Sequence, residues 1–352
     1  MRIELYDDSR RDRWEKLIEQ SSDATLGHLW QWREAIRCAY GYKSFHLALE
    51  EPNGEPVAAI PFIWIRSRFY GTELASMPYI DYGAVCHRDS LSEETRERCD
   101  RVLYSHAIQL GRAIRAKRLH VRSPKPCDPR LELSTEKVTQ HLPLARSSRE
   151  QLPRLPTERR NRIRRCAKLG IVSEILPPEE GAAFGRFCDI YSSNMHDLGS
   201  PTHSPEFFRQ VMRNFRDRIS LIVIRQRAEI IASALAFEFR GSMSLPWSGA
   251  TLAARPVYGS NALYWAAICL AIERGCHTFD FGRSSVGSGI FEFKRQWGPV
   301  PQQAYWSTFY FSAGAKAPRQ RRELRMATTV WRRVPLAVTR ALGPTLRKGI
   351  SN

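Results

Sequence analysis

The sequence predicts a mixed α+β protein with two similarly ordered units. Three observations lead there. Apolar residues recur with a helical period in some stretches and alternate or run together in others. The resulting elements come in the same order twice: helix, helix, strand, strand, strand, helix, strand. The chain has 352 residues, enough for two domains of ordinary size.

In the first half, residues 10–20 and 25–40 read as helices. In the second of these, Leu26, Leu29, Trp30, Arg33, Ile36 and Arg37 fall at helical spacings. SFHLALE (44–50) reads as a strand, and the N-G turn in PNGEP (52–56) returns the chain as PVAAIPFIWIRS (56–67). A further extended piece follows near 72–79. Ser90 to Glu93 reads as a capping box ahead of a long helix whose buried face is Leu103, Ala107, Leu110 and Ile114. RLHVRS (118–123) is the last strand of this half.

The second half opens with helices over 179–195 and 204–215, the latter capped by Ser204. Residues 218–225 and 229–239 make a hairpin, and 242–250 is a third strand. NALYWAAICLAIERG (261–275) reads as a helix closed by Gly275. CHTFDF (276–281) and AYWSTFYF (304–311) read as strands.

Lys and Arg number 54 against 36 Asp and Glu, a net charge of +18. Such a chain attracts anions: nucleic acid, acidic lipid or phosphorylated molecules. Residues 316–352 hold ten Lys/Arg against one acid, Glu323, half of the net charge. A second basic cluster is Arg159, Arg160, Arg162, Arg164, Arg165 and Lys168. It has no interleaved aromatics and so is no stacking platform for bases. The eight cysteines are scattered singly, which argues against a disulfide scaffold and against a zinc site. Reduced thiols, no apolar leader at the N-terminus and no spanning-length apolar run lead us to expect a cytoplasmic protein. No Ser-His-Asp order, phosphate-binding Walker loop or dinucleotide fingerprint is present.

The richest stretch is FDFGRSSVGSGIFEFKRQWG (279–298). It places Asp280, Arg283 and Lys294 around a glycine loop. Asp280 ends a strand and lies close enough in sequence to pair with Arg283. That pair is either a structural clamp or an anchor for a phosphate or carboxylate. Lys294, flanked by Phe293 and by Trp297 beyond, is either a solvated lysine or a partly desolvated ammonium next to developing negative charge.

The order of helix pair, antiparallel strands, helix and strand resembles the GNAT acyltransferase fold, and two in tandem resemble the FemAB family. FDFGRS (279–284), the glycine loop and FKRQWG (293–298) are similar to FemAB-like proteins associated with bacterial exosortase (PEP-CTERM) systems. MHDLGSP (195–201), SNAL (260–263) and WRRVPLAVTRALGP (331–344) also resemble that group. The resemblance implies two tandem GNAT-like domains, each a mostly antiparallel mixed sheet flanked by helices. The expected division is 1–150, a basic linker 151–170, a C-terminal domain 171–315 carrying the main site, and a basic amphipathic tail 316–352.

The same resemblance implies transfer of an acyl or aminoacyl group to an amine of a cell-wall or polysaccharide precursor. The donor co-substrate is acyl-CoA or aminoacyl-tRNA, with no tightly bound cofactor and no metal. In a GNAT fold the loop 251–260 holds the donor's pyrophosphate on amides at a helix N-terminus. That makes Arg255, Tyr258, Gly259, Ser260 and Asn261 donor-binding candidates, although Tyr258 stands where a glycine is usual. An ordinary strand-to-helix loop is an equal reading. Lys294 and Asp280 are the catalytic candidates. Arg283, Ser284, Phe293, Trp297, His196, Asp197, Trp247, Tyr79 and Asp81 are the substrate-binding candidates. Tyr79 and Asp81 are placed at an acceptor cleft by the resemblance alone, and Trp247 reads equally as core. The segment 151–170 is either a solvated basic helix or a hold for tRNA phosphates. The tail either lies on an anionic membrane or docks on the second domain. An inactive GNAT-like binding module at the membrane surface is the remaining alternative.

Overall fold

The computed structural model describes residues 1–312 and 320–351. Lys316 and Arg319 of the basic tail lie outside the described residues. The first compact unit comprises the described residues of Met1–Lys137, Gln303–Arg321 and Thr345–Asn352. The second comprises those of Val138–Gln302 and Arg322–Pro344.

The first unit contains β1 (Arg2–Tyr6), α1 (Arg11–Glu19), α2 (Gln31–Tyr40), β2 (Lys43–Glu50), β3 (Pro56–Ser67), β4 (Gly71–Ser76), β5 (Cys86–His87), α3 (Glu93–Ala113), β6 (Arg118–Ser123) and the start of β7 (Glu132–Pro143). The second contains α4 (Ser148–Arg154), α5 (Thr157–Lys168), β8 (Ile171–Leu176), α6 (Ala182–Asp197), α7 (Pro205–Asn214), β9 (Ile219–Gln226), β10 (Glu229–Phe239), β11 (Ser242–Ala250), α8 (Gly259–Glu273), β12 (Thr278–Asp280), β13 (Ser284–Ser285) and α9 (Gly289–Arg295). The chain ends with β14 (Val300–Tyr310), α10 (Gln320–Trp331) and α11 (Leu336–Arg347). Among the described residues no helix is long and apolar enough to cross a membrane.

The expected consecutive domains need correction. The boundary between units falls inside β7 and inside β14, and residues 345–352 belong to the first unit. The expected linker 151–170 is instead the helical pair α4 and α5, part of the second unit. Cys166 is buried there and shares its helix with the fully buried Arg159, so this segment is not a free tether.

In the first unit β1, β2, β3 and β4 pair antiparallel in sequence order, β6 joins β4 in parallel, and β14 joins β6 antiparallel through Tyr305–Tyr310. The β4–β6 pair is parallel because α3 carries the chain back to the same edge. Ser92 caps α3, its side chain accepting from the Thr95 amide, so the cap sits two residues later than Ser90. Leu103, Tyr104 and Ala107 of α3 bury against Leu47, Ile60, Leu74 and Leu119 of the sheet.

A charge cluster ties three parts of this unit together. The His87 side chain is fully buried, with Nδ1 2.8 Å from Asp23 Oδ2 and Nε2 3.0 Å from Asp100 Oδ1. Arg96 approaches Asp23 at 3.5 Å. Burial pulls the His87 pKa down, but hydrogen bonds to Asp100 and Asp23 outweigh it and raise the pKa above 6.5. Burial raises the Asp23 pKa, and the bonds from His87 outweigh that too and lower it below 3.8. A raised histidine pKa stabilises fully below the unfolded value and loses that contribution as pH rises through the folded value. We expect the native chain's urea midpoint to fall as pH rises from about 6 to 8 relative to a His87→Gln variant. Parallel pH profiles of the two chains would contradict this.

In the second unit β8, β9, β10 and β11 are antiparallel neighbours in sequence order. β12 joins β11 in parallel, and the end of β7 joins β12 antiparallel through Pro143, Leu142 and His141. α8 is the crossover between the parallel strands β11 and β12. It is apolar nearly all round, and Leu263, Ala266, Ala267, Ile268, Leu270, Ala271 and Ile272 are buried, as suits a helix packed on more than one side. Its core partners include Ile222, Ile231, Ala234, Leu245, Phe279 and Trp297.

Candidate functional site

The parallel pair that α8 connects is short. β12 pairs only with Ser242, Met243 and Ser244 of β11. Beyond Ser244, residues 245–250 have no ladder partner on that side among the described residues. Past this open edge the chain makes a short turn and enters α8. A crevice at the carboxyl end of a parallel strand, next to a helix N-terminus, is where α/β sheets receive ligands.

A pocket of about 250 Å³ opens at this place, lined by Arg162, Ala254, Arg255, Tyr258, Ser260, Asn261 and Phe293. Four of the five donor-binding candidates therefore meet in one cavity. The fifth, Gly259, packs beneath it: a Cβ there would come within 2.7 Å of Ala254 Cβ. Phe293, read from sequence as a substrate contact, joins them. Arg162 was not singled out as a site residue, because a basic helix carries no signal of which arginine turns inward.

Tyr258 stands at the N-cap of α8 with φ 57° and ψ 34°, the left-handed region that glycine adopts without strain. Its ring carries Arg162 and Arg165, whose guanidinium carbons lie 5.5 and 5.4 Å from the ring centroid. The departure from glycine thus builds an aromatic wall that holds Arg162 at the pocket and carries Arg165 on the same ring. Tyr258→Gly is expected to leave stability unchanged or raise it by up to about 1 kcal/mol. The same change is expected to weaken the binding of a phosphorylated ligand at this pocket several-fold, as read by thermal melting and titration.

Arg159, one turn before Arg162, is fully buried. Its Nη1 donates to Asn261 Oδ1 at 2.6 Å, while Nε and Nη2 make no hydrogen bond. Glu158 Oε1 is 3.6 Å from Nη2. Burial lowers the Arg159 pKa, but a guanidinium remains charged at neutral pH. The α8 N-terminus, Arg162, Arg255 and the buried charge of Arg159 all favour an anion at this pocket.

The other candidates form a second cluster around the turn 280–284. Asp280 Oδ1 accepts from the Gly282 amide at 2.8 Å and lies 3.8 Å from His141 Nε2. Gly282 has φ 69°. Ser284 is buried, with its hydroxyl 3.3 Å from Gln140 Oε1. Ser288 caps α9, which makes Lys294 a helical residue that points inward. Lys294 is 6% exposed, and its Nζ donates to the carbonyls of Gly282 (3.1 Å) and Arg283 (2.9 Å). The lysine ties α9 to the turn. Lys294→Met would take the ammonium from two backbone carbonyls and is expected to cost about 1.5–3 kcal/mol of stability. A denaturant midpoint unchanged by that substitution would contradict the clamp.

Several candidates are corrected by their surroundings. Trp247 is buried among Phe207, Phe208 and Phe237, so it is core and not a substrate contact. Trp297 is fully buried against Phe281 and Tyr264 and is likewise core. Tyr79 is buried, and its hydroxyl donates to the Lys348 carbonyl at 2.8 Å, so the chain itself fills the space expected of an acceptor cleft. Asp81 is half-buried between β4 and β5. His196 and Asp197 close the helix α6 instead of lying in a loop; His196 Nδ1 is 3.2 Å from Thr339 Oγ1 and Asp197 is exposed. The tail takes its docked form in the second unit: Arg340 Nε donates to Ser192 Oγ at 3.0 Å and Nη1 lies 3.3 Å from Asp189 Oδ1.

Sequence reasoning passed over Tyr264. It sits on α8, with its ring 5.5 Å from Phe281 and 5.2 Å from Phe293, and burial raises its pKa against a hydrogen bond with Ser248. Nothing distinguishes it from a core aromatic in an apolar helix.

Residues 157–295 match the family model of the acetyltransferase (GNAT) domain. The chain carries an acyltransferase domain. The match runs from α5 through α9 and contains both the pocket and the 280–284 turn with Lys294. Solved structures with the same fold include FemX, at 12% identity and TM-score 0.62, covering 88% of this chain and 98% of that one. The tandem GNAT protein from the clavulanic acid biosynthesis pathway matches at 11% identity and TM-score 0.55, covering 90% and 99%. The C-terminal domain of a putative lysylphosphatidylglycerol synthetase from Agrobacterium fabrum matches at 13% identity and TM-score 0.54, covering 92% and 96%. The fold is therefore that of tandem GNAT-like domains. No curated protein matches the sequence.

Proposed function

We propose that this acyltransferase binds acyl-CoA, with the donor's phosphate groups in the pocket at the α8 N-terminus, and transfers the acyl group to an amine acceptor. The observation that carries the reading is the cavity itself: two arginines, the first residues of a 15-residue helix and an aromatic wall, with a buried third arginine bonded to Asn261. Such a site suits a phosphorylated donor rather than a neutral one.

In the reaction the amine nitrogen attacks the acyl carbonyl and the C–N bond forms. The bond to the leaving thiolate breaks, and the proton lost by nitrogen balances the thiolate's charge. The open edge of β11 beyond Ser244 offers amides to the acyl-bearing part of the donor. Lys294 acts in this reading as a positioning residue: it fixes the 282–283 carbonyls and with them the turn after Asp280. An acceptor from the cell wall or from exopolysaccharide synthesis fits the resemblance of the 279–298 stretch to exosortase-associated FemAB-like proteins.

A second donor, aminoacyl-tRNA, is favoured by one feature. Arg164, Arg165 and Lys168 are exposed on α5, the helix that also supplies Arg162 to the pocket. A polynucleotide would be held there by phosphate contacts. The two donors separate in a titration of the full chain with a panel of acyl-CoAs and with charged and uncharged tRNA at two salt concentrations. Saturable acyl-CoA binding without preference for charged tRNA supports the first reading. Preference for charged tRNA replaces it with the second, and salt-sensitive binding to every polyanion alike removes both.

A further inference from the structure

In the first unit a buried polar cluster holds a segment of the same chain. Ser351 is 4% exposed. Its carbonyl oxygen accepts from two converging donors, Arg122 Nη2 and the Tyr79 amide, the latter at 3.1 Å. Its hydroxyl donates to Glu73 Oε1 at 2.8 Å. Three residues earlier the Lys348 carbonyl accepts from the Tyr79 hydroxyl, and the Arg347 guanidinium lies 5.4 Å from the Tyr79 ring centroid. Most of these contacts are made to the main chain, which any peptide of suitable shape can supply.

The receiving groups are fixed by the first unit itself. Arg122 is fully buried, with Nη1 donating to the Ile80 carbonyl at 2.8 Å and Nε 3.3 Å from His120 Nε2. Glu73 is 3% exposed and is gripped by Arg118 at 2.9 Å. Tyr79 stands at φ 75° and Met77 at φ 35°, non-glycine residues in the left-handed region, a kind of strain that gathers at ligand clamps. The twist at Tyr79 sends both its amide and its hydroxyl to the segment. The site thus presents two donors to a carbonyl or carboxylate oxygen and a carboxylate to a nearby hydroxyl or ammonium.

We propose that residues 347–351 fill, in cis, a peptide-binding site of the first unit, and that the site takes a peptide segment from another molecule when this segment leaves. The ligand class is a peptide whose bound residue offers a carbonyl together with a side-chain hydroxyl or amine. The tethered segment competes at an effective concentration on the order of millimolar, so the site is closed to weak ligands and opens to strong ones. The inference rests on the first unit alone and does not depend on the donor reading.

The test keeps the full chain. Gly349 packs against β3, and a Cβ on it would come within 2.7 Å of Ser67 Cβ, so Gly349→Leu expels the segment. The probe is a fluorescently labelled peptide, TLRKGISN, the sequence of residues 345–352. We expect the Gly349→Leu chain to bind it saturably and at least about tenfold more tightly than the native chain, whose site is already filled. Replacing the peptide's serine by alanine is expected to weaken binding to that chain several-fold. The same replacement should make little difference once Glu73→Met, which has no oxygen acceptor, is added, the signature of a direct Ser–Glu contact. Equal binding by the Gly349→Leu and native chains would overturn the proposal. So would loss of cooperative unfolding in the Gly349→Leu chain, which would make the segment an integral part of the core.

Discussion

An Arg162→Gln, Arg255→Gln double variant is expected to bind acyl-CoA at least about 100-fold more weakly than the native chain, since each lost charge-assisted hydrogen bond is worth about 1.5–3 kcal/mol and 1.4 kcal/mol is tenfold in affinity. Both side chains line the pocket, and neither belongs to the buried core. The thermal midpoint should therefore stay near the native value while the binding isotherm shifts. Arg159 is the opposite case: it is fully buried and bonded to Asn261, so its removal would confound folding with binding. A double variant with native affinity would show that the pocket does not hold the donor's phosphates.

Trp247→Ala should produce the largest loss of stability, about 3–5 kcal/mol, the usual cost of emptying a buried aromatic site. The indole meets Phe207, Phe208 and Phe237 edge-on at 5.4, 5.5 and 5.7 Å between ring centroids, and His203 at 6.2 Å. These rings come from α7, β10 and the segment before α7, so the cavity would sit where a helix meets the sheet of the second unit. Equilibrium urea unfolding reads the effect directly. A variant of near-native stability with a raised KM would instead return Trp247 to the substrate-facing role that its strand position also allowed.

Much of the second unit was legible because its strands alternate or run apolar and its turns are marked. Residues 229–239 and 242–250 come out with the same ends in sequence and structure. The loop 251–260 was legible as the link between a strand and a helix N-terminus, and four of its residues line the pocket with Asn261, Arg162 and Phe293. What escaped was polar or glycine-rich. β7 carries many polar residues and lacks a clean period, β8 is a six-residue strand with no fully buried position, and α9 begins at Gly289 inside a glycine loop. The boundary between units was hidden for a different reason. β14 reads as the last strand of the second repeat, yet it pairs with β6, a partnership between residues about 190 positions apart that no local pattern encodes. Tyr79 was singled out in the sequence as an acceptor contact and Lys294 as a catalytic group. Their partners, however, are carbonyls brought in by the fold: Lys348 for the tyrosine, Gly282 and Arg283 for the lysine.

The most direct test of the donor site is amide hydrogen exchange across the chain with and without saturating acetyl-CoA. Binding at the proposed pocket predicts slowed exchange in residues 252–263 and 159–165, with the first unit's β1–β4 unaffected. Protection elsewhere in the chain, with residues 252–263 exchanging as before, would contradict the placement of the donor at the α8 N-terminus.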